Sequence, residues 1–405
     1  MELSKKYPGS HVALAEWLYS LLLFCSIFLL SATNYLVFPV LFLSLLMLLA
    51  AGLNNVVTVR DLLLCLVFLT VYVIFLYVSW VHSITYPYSE TYQLTEVSIK
   101  FFFNILFFLV VMLVLRSFKA RAVIRSCLSG VILVHVFFLF FQGFNLYVYG
   151  VRYDFLEIVM GRAQRITGAA GVDGIYRLAG IYNEPGTYSV FMFLLVFCRY
   201  LVNRSIDAIF IIGFFSTLFT FSVQAFISVF IVCSFCFLII VSRVFLSFKV
   251  KPNHFFWVLG GVVVGGAFFV IFKDLFFSYL TARFLSGSTD GTVAIRYIDA
   301  FTAYSEIDLL TFFTGVGFDI NAIQVLIADT GLLFSSVVQF GLFGFIGVLF
   351  LALCLRKDFM AVVLFLLILI SKLQLIYPAL WFCFALITNF HLNERSPPLP
   401  GSKVA

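Results

Sequence analysis

Uninterrupted apolar runs, separated by short polar turns, set the pattern of this chain. Leu18 to Leu30, Leu62 to Val78 and Phe101 to Leu115 carry no charge at all. Backbone in hydrocarbon must satisfy its hydrogen bonds internally, so runs of this length predict membrane-spanning helices. The alternating segments of a transmembrane β-barrel are absent. Hydropathy places spans at roughly 13–31, 34–52, 61–82, 97–115, 123–143, 185–201, 206–221, 223–241, 255–272, 329–354, 358–374 and 377–392, about twelve in all. The last two are separate spans, or one long helix kinked by Lys372 and Pro378. The first run follows Lys5 and Lys6 without a small-residue cleavage pattern behind it, which reads as a retained helix rather than a signal peptide.

Charge then orients these elements. With the N-terminus inside, the inner turns collect Arg60, Arg116, Lys119, Arg121, Arg125, Arg199, Arg204, Arg243, Lys249, Lys251, Arg356 and Lys357, as the positive-inside rule requires. Seven basic residues depart from it: Arg152, Arg162, Arg165, Arg177, Lys273, Arg283 and Arg296. All seven fall in the two long polar connections, 144–184 and 273–328, while other turns are only a few residues long. Long connections of this kind usually carry function. A short interfacial helix is expected within Tyr153 to Arg165, and a second helix over Thr292 to Ile307, where Val293, Tyr297, Phe301 and Tyr304 form an apolar stripe beside Arg296, Asp299 and Ala303.

The whole is one integral membrane domain, 1–405, with a polar tail at 393–405 that reads as disordered. It has 405 residues, 63% hydrophobic and 11% charged, with a mean hydropathy of +1.13, far from a soluble domain. The net charge of +6 follows topology rather than a nucleic-acid-binding face. All eight cysteines lie in apolar runs, so no disulfide framework is expected, and Cys233 with Cys236 reads as two small apolar fillers. The histidines are scattered outside both long loops, and Glu306 with Asp308 is the nearest approach to a metal pair, so neither a metal nor another cofactor is expected. Gly315-Val-Gly317 lacks the lysine and the strand of a phosphate loop and reads as a turn. Polar residues inside the spans are few, chiefly Asn104, His135, Gln142, Gln224 and Gln339, which argues against an ion-coupled carrier.

The candidate chemistry sits in the long loops. Six of the seven outward cations are arginine, whose planar guanidinium suits phosphate or pyrophosphate. Arg177 and Arg296, each beside an ordered element, are the strongest candidates. Pro185 fits the first turn of a helix, with Asn183 in capping position. Glu184 carries two readings: a carboxylate that stabilises a helix start, or an acid–base group. An Arg177–Glu184 ion pair is a third possibility. Asp329 is likewise a helix cap or a base.

The motifs RLAGIYNEPG at 177–186, RYIDAF at 296–301, FFTGVGFD at 312–319, DTGLLF at 329–334 and QFGLFGFI at 339–346 resemble the bacterial O-antigen polymerase family. The resemblance implies an all-α, polytopic, GT-C-like glycosyltransferase of the inner (cytoplasmic) membrane, with both long loops periplasmic. Its substrates would be undecaprenyl-pyrophosphate-linked oligosaccharide donor and acceptor, joined at the periplasmic face in lipopolysaccharide biosynthesis without a metal. It further implies a protein partner that regulates chain length, contact with membrane lipids and no nucleic acid. The anion-binding role carries onto Arg177 and Arg296, then Arg283; the candidate base is Glu184, then Asp329 or Asp299. The stretch Phe318 to Thr330 holds no histidine, which favours polymerase over the related O-antigen ligases. A lipid-linked oligosaccharide flippase is the alternative from another class.

Overall fold

A computed structural model of the chain describes residues 59–85, 91–115, 118–160, 164, 176–247, 273, 309–318 and 331–394. The spans expected at 13–31, 34–52 and 255–272, and the helix expected at Thr292 to Ile307, lie outside the described residues. Among the described residues the architecture is helical, with no strand. We number the helices α1 (Val59–Thr85), α2 (Thr91–Val114), α3 (Phe118–Tyr149), α4 (Phe155–Met160), α5 (Pro185–Asn203), α6 (Ala208–Ser216), α7 (Val223–Ser247), α8 (Leu309–Thr314), α9 (Leu332–Leu355), α10 (Phe359–Leu369) and α11 (Pro378–Glu394). Four of them, α2, α3, α5 and α9, contain segments long and apolar enough to cross a membrane. Leu66, Val73 and Ile74 on α1 and Phe343, Ile346 and Phe350 on α9 are exposed, a surface suited to lipid and not to water. The chain is a membrane-embedded helical protein.

Two compact units form. The first comprises Met1–His135, Phe191–Gly213 and Arg296–Ala405; the second comprises Val136–Val190 and Phe214–Ile295. In the first unit α2 packs along α11. The rings of Phe107 and Phe382 stack and Phe108 meets Trp381 edge-on, while Asn104 Nδ2 donates to the Ile376 carbonyl at 3.0 Å. That carbonyl belongs to the 370–377 break between α10 and α11, so Phe359–Leu369 and Pro378–Glu394 are two separate helices rather than one kinked helix.

The first unit also holds a broken helix. Within α9, Gly341 adopts φ 56°, ψ −137°, a left-handed conformation that side-chain-bearing residues rarely tolerate. A break leaves carbonyls without their helical partners, and lipid offers no replacement. The turn after α8 supplies it: Val316 N–H donates to Val338 O at 3.0 Å and Gly317 N–H to Gln339 O at 2.7 Å. Phe318 N–H is taken by Ser79 Oγ at 2.6 Å, and the rings of Phe101, Phe318 and Phe340 pack around the junction. The glycine-rich segment thus turns the chain, as the sequence suggests, and also seals α9. Gly331 is the N-cap of α9, Leu332 N–H bonds Ser371 O at 3.1 Å, and Asp329, the expected cap, lies outside the described residues.

At the other end of α5, Arg199 is 3% exposed and ion-paired with Asp207. Its guanidinium also reaches the Arg125 carbonyl at 3.3 Å and the Ser129 hydroxyl, tying α3, α5 and the start of α6 together. Burial opposes the charge on Asp207, but the hydrogen bond from Arg199, the Phe210 N–H and the charges of Arg199 and Arg125 outweigh it and hold the carboxyl below its ordinary value.

A carboxyl held lower in the folded chain contributes stability above about pH 4, and that contribution is lost as pH falls through the folded value. The melting temperature of the purified protein should therefore fall on acidification, and Asp207→Asn should flatten that dependence. Arg199→Leu should cost about 1–3 kcal/mol at neutral pH by removing the cation that pairs with Asp207 and the donor to the Arg125 carbonyl. A second test is backbone strain: a Cβ at Gly341 would lie 2.4 Å from Phe313 O, whereas one at Gly347 meets nothing within 4 Å. Gly341→Ala should cost about 3 kcal/mol and Gly347→Ala should be neutral or stabilise by up to about 1 kcal/mol; equal melting temperatures for the two variants would remove the break from the account.

Candidate functional site

The second unit contains the segment that carries Arg177 and Glu184, and it is built around two glutamines. Gln142, 4% exposed near the C-terminal end of α3, accepts at Oε1 from two successive backbone donors, Ala179 N–H at 3.0 Å and Gly180 N–H at 2.9 Å. Its Nε2 donates to Tyr153 O at 3.0 Å and to Gln164 Oε1 at 2.8 Å. Gln164 in turn donates from Nε2 to Gly180 O and from its backbone to Asp154 Oδ2, the latter at 2.6 Å. One buried carboxamide therefore serves both faces of the 179–180 backbone, directly on one side and through Gln164 on the other.

Local sequence explains why the chain bends here. Gly180 sits at φ +59°, and an added Cβ would touch the Tyr188 ring at 3.5 Å. An added Cβ at Gly143 would meet Leu178 Cδ1 at 2.8 Å, so a glycine on α3 lets the segment lie close. The Tyr147 phenol closes the far end, donating to Tyr176 O at 3.0 Å and accepting from Tyr176 N–H at 3.1 Å. Asp154 starts α4: its carbonyl takes Ile158 N–H at 3.2 Å and its Oδ1 takes Glu157 N–H at 2.9 Å, an N-cap in geometry. A short helix is thus found within the stretch where one is expected, over Phe155–Met160.

The segment then enters α5. Pro185 is the first helical residue, as its fixed φ favours. The Glu184 carbonyl accepts Tyr188 N–H at 3.2 Å, which makes Glu184 the capping residue in place of Asn183, one position earlier and exposed. Glu184 is half-exposed, and its Oε1 accepts from Thr187 Oγ1 at 3.3 Å. Arg177 is half-buried, and it makes no ion pair with Glu184. Behind them Tyr182 and Tyr188, both 0% exposed, meet edge to face at 5.8 Å. Tyr188 OH bonds Ser216 Oγ at 2.9 Å and Ser189 Oγ bonds Thr220 Oγ1 at 2.8 Å, fixing the first turn of α5 to the end of α6 and the 3-10 turn Thr217–Thr220.

Of the candidate site residues, Arg177 and Glu184 fall on this one strap, seven positions apart. Arg283, Arg296, Asp299 and Asp329 lie outside the described residues, as do Glu306 and Asp308. Gln142 reads in the sequence only as a polar exception in an apolar run, and Gln164 and Asp154 carry no motif. What the arrangement offers is a cation and a carboxylate on a hydrogen-bonded, aromatic-backed strap at the ends of apolar helices. Such a strap can hold an anion and take a proton without reorganising. Compared with protein-family models, curated proteins and solved structures, the chain matches none of them.

Because four hydrogen bonds converge on one side chain, Gln142→Leu should free the strap while leaving α3 helical. Amide exchange at Ala179 and Gly180 should rise at least tenfold, since two backbone donors lose their acceptor. Gln142→Glu keeps the acceptor oxygen and should show a smaller rise. Exchange unchanged in Gln142→Leu would show that the strap is held by other contacts.

Proposed function

We propose that this protein is an O-antigen polymerase: a glycosyltransferase that joins undecaprenyl-pyrophosphate-linked oligosaccharide repeat units at the periplasmic face of the bacterial inner membrane. The observation that carries the reading is the placement of Arg177 and Glu184 on one strap held by Gln142 at the ends of apolar helices. The motif resemblance supplies the reaction class, and with it about twelve spans in a GT-C-like arrangement, Arg283 and Arg296 as further anion contacts, and Asp299 or Asp329 as other candidate bases.

In this reading the growing chain's anomeric carbon loses its bond to pyrophosphate and gains one to a hydroxyl of the incoming lipid-linked unit. Arg177 stabilises negative charge as undecaprenyl pyrophosphate departs. Glu184 takes the proton of the attacking hydroxyl and releases it to water afterwards. No nucleotide is consumed, because the pyrophosphate linkage itself is the activated bond. A partner that sets chain length belongs to the same proposal.

The test is a lipopolysaccharide gel from the native host with the gene deleted and restored. A ladder collapsing to core plus one repeat supports polymerisation. Loss of every O-antigen band points to a ligase or a flippase instead. In the restored strain Arg177→Ala should slow polymerisation about 10²–10³-fold at unchanged protein level, and Glu184→Gln about 10²–10⁴-fold. A wild-type ladder from Glu184→Gln would take the base role away from that residue.

A further inference from the structure

Serines in these helices commonly satisfy their hydroxyl by donating to the carbonyl four residues back. Ser79 does so to Phe75, Ser129 to Arg125 and Ser336 to Leu332. Ser228 on α7 does not: the residue is 1% exposed and its Oγ has no hydrogen-bond partner. One turn earlier on the same face, Gln224 is half-buried and its buried Nε2 is also without a partner. An unsatisfied polar group in an apolar setting is destabilising, and a ligand that bonded both, one turn apart, would remove that destabilisation.

The surroundings specify the chemistry. The approach to α7 is rich in hydroxyls, with Thr217, Thr220 and Ser222 all buried and Ser189 and Tyr188 bonded into the same layer. From Phe214 to Ser242 the chain carries no charged side chain. Nothing there favours an ion. Side chains one helical turn apart stand about 5–6 Å from each other at Cβ, a span that two hydroxyls of one pyranose ring can bridge.

We propose that Gln224 and Ser228 form a neutral sugar-binding shelf in the second unit, in which Gln224 Nε2 donates to a ring or hydroxyl oxygen and Ser228 Oγ exchanges a hydrogen bond with a neighbouring hydroxyl. This rests on the reading of the protein as a polymerase of lipid-linked oligosaccharides, and it assigns the part of the substrate that Arg177 does not hold. The pyrophosphate falls to arginine and the sugar to uncharged donors.

The experiment uses the full chain in nanodiscs and two probes: polyprenyl pyrophosphate with and without an attached disaccharide. Wild type should bind the sugar-bearing lipid about tenfold more tightly, the contribution of two neutral hydrogen bonds. Gln224→Leu/Ser228→Ala should keep the affinity for the bare lipid and lose that increment, with Ser228→Ala alone losing part of it. Arg177→Ala should weaken both lipids equally. The double variant should melt no lower than wild type without ligand, because it removes two unpaired groups; a lower melting temperature would show that they serve the structure and would overturn the shelf. Equal binding of both lipids by wild type would overturn the shelf alone, whereas no binding of the bare lipid would overturn the polymerase reading and the shelf with it. Excess phosphatidylglycerol, whose headgroup also carries hydroxyls, should leave the increment intact; abolishing it would mean that the site takes a phospholipid headgroup.

Discussion

Backbone that departs from the helix between apolar segments has few polar groups to turn to, and this constraint shapes two irregular regions among the described residues. In the first unit the break at Gly341 would strand two carbonyls, and the Val316 and Gly317 N–H groups meet them. In the second unit the bend at Gly180 would strand two donors, and Gln142 meets them with one oxygen. The remedies differ in kind. One is backbone on backbone and needs only glycines that permit close approach; the other needs a polar side chain placed at a single position.

That difference bears on function. A break sealed by backbone is closed: an added Cβ at Gly315 would lie 2.3 Å from Gln339 O, leaving no room for anything else. A bend held by a side chain is fixed from one point: the strap's backbone donors at Ala179 and Gly180 are taken by Gln142, and behind it Tyr182 meets Tyr188 edge to face. Rigidity supplied from behind is what lets charged groups at the front be preorganised toward a ligand.

Much of the fold is legible in the sequence because apolar length is a one-dimensional signal. The runs behind α2, α3, α5 and α9, the helix start at Pro185, the short helix Phe155–Met160 and the Gly315–Gly317 turn all follow from local residue chemistry. The intramembrane polar residues are equally visible, yet the uses of Asn104 and Gln142 are not, because each depends on partners distant in sequence. Asn104 bonds a carbonyl near the end of the chain, at Ile376. Gln142 reaches residues 11 to 38 positions away. Gln224 and Gln339 each retain a buried atom without a partner. The cap at Glu184 rather than Asn183 turns on one residue of register, which propensity does not resolve.

The basic residues show how far a charge count can carry. Arg199 and Arg177 are both arginines close to a helix end, and hydropathy alone distinguishes them only by the side of the membrane each is expected to face. Their surroundings separate them further. Arg199 is 3% exposed and meets a carboxylate, a hydroxyl and a carbonyl, so its charge is neutralised locally and its geometry fully occupied. A guanidinium in that state anchors helices and has little left for a ligand. Arg177 is half-buried, on a strap whose backbone Gln142 holds. Partial burial raises the strength of any charge-assisted bond it makes relative to open water. On the reading proposed above, that is the strength a departing pyrophosphate would draw on.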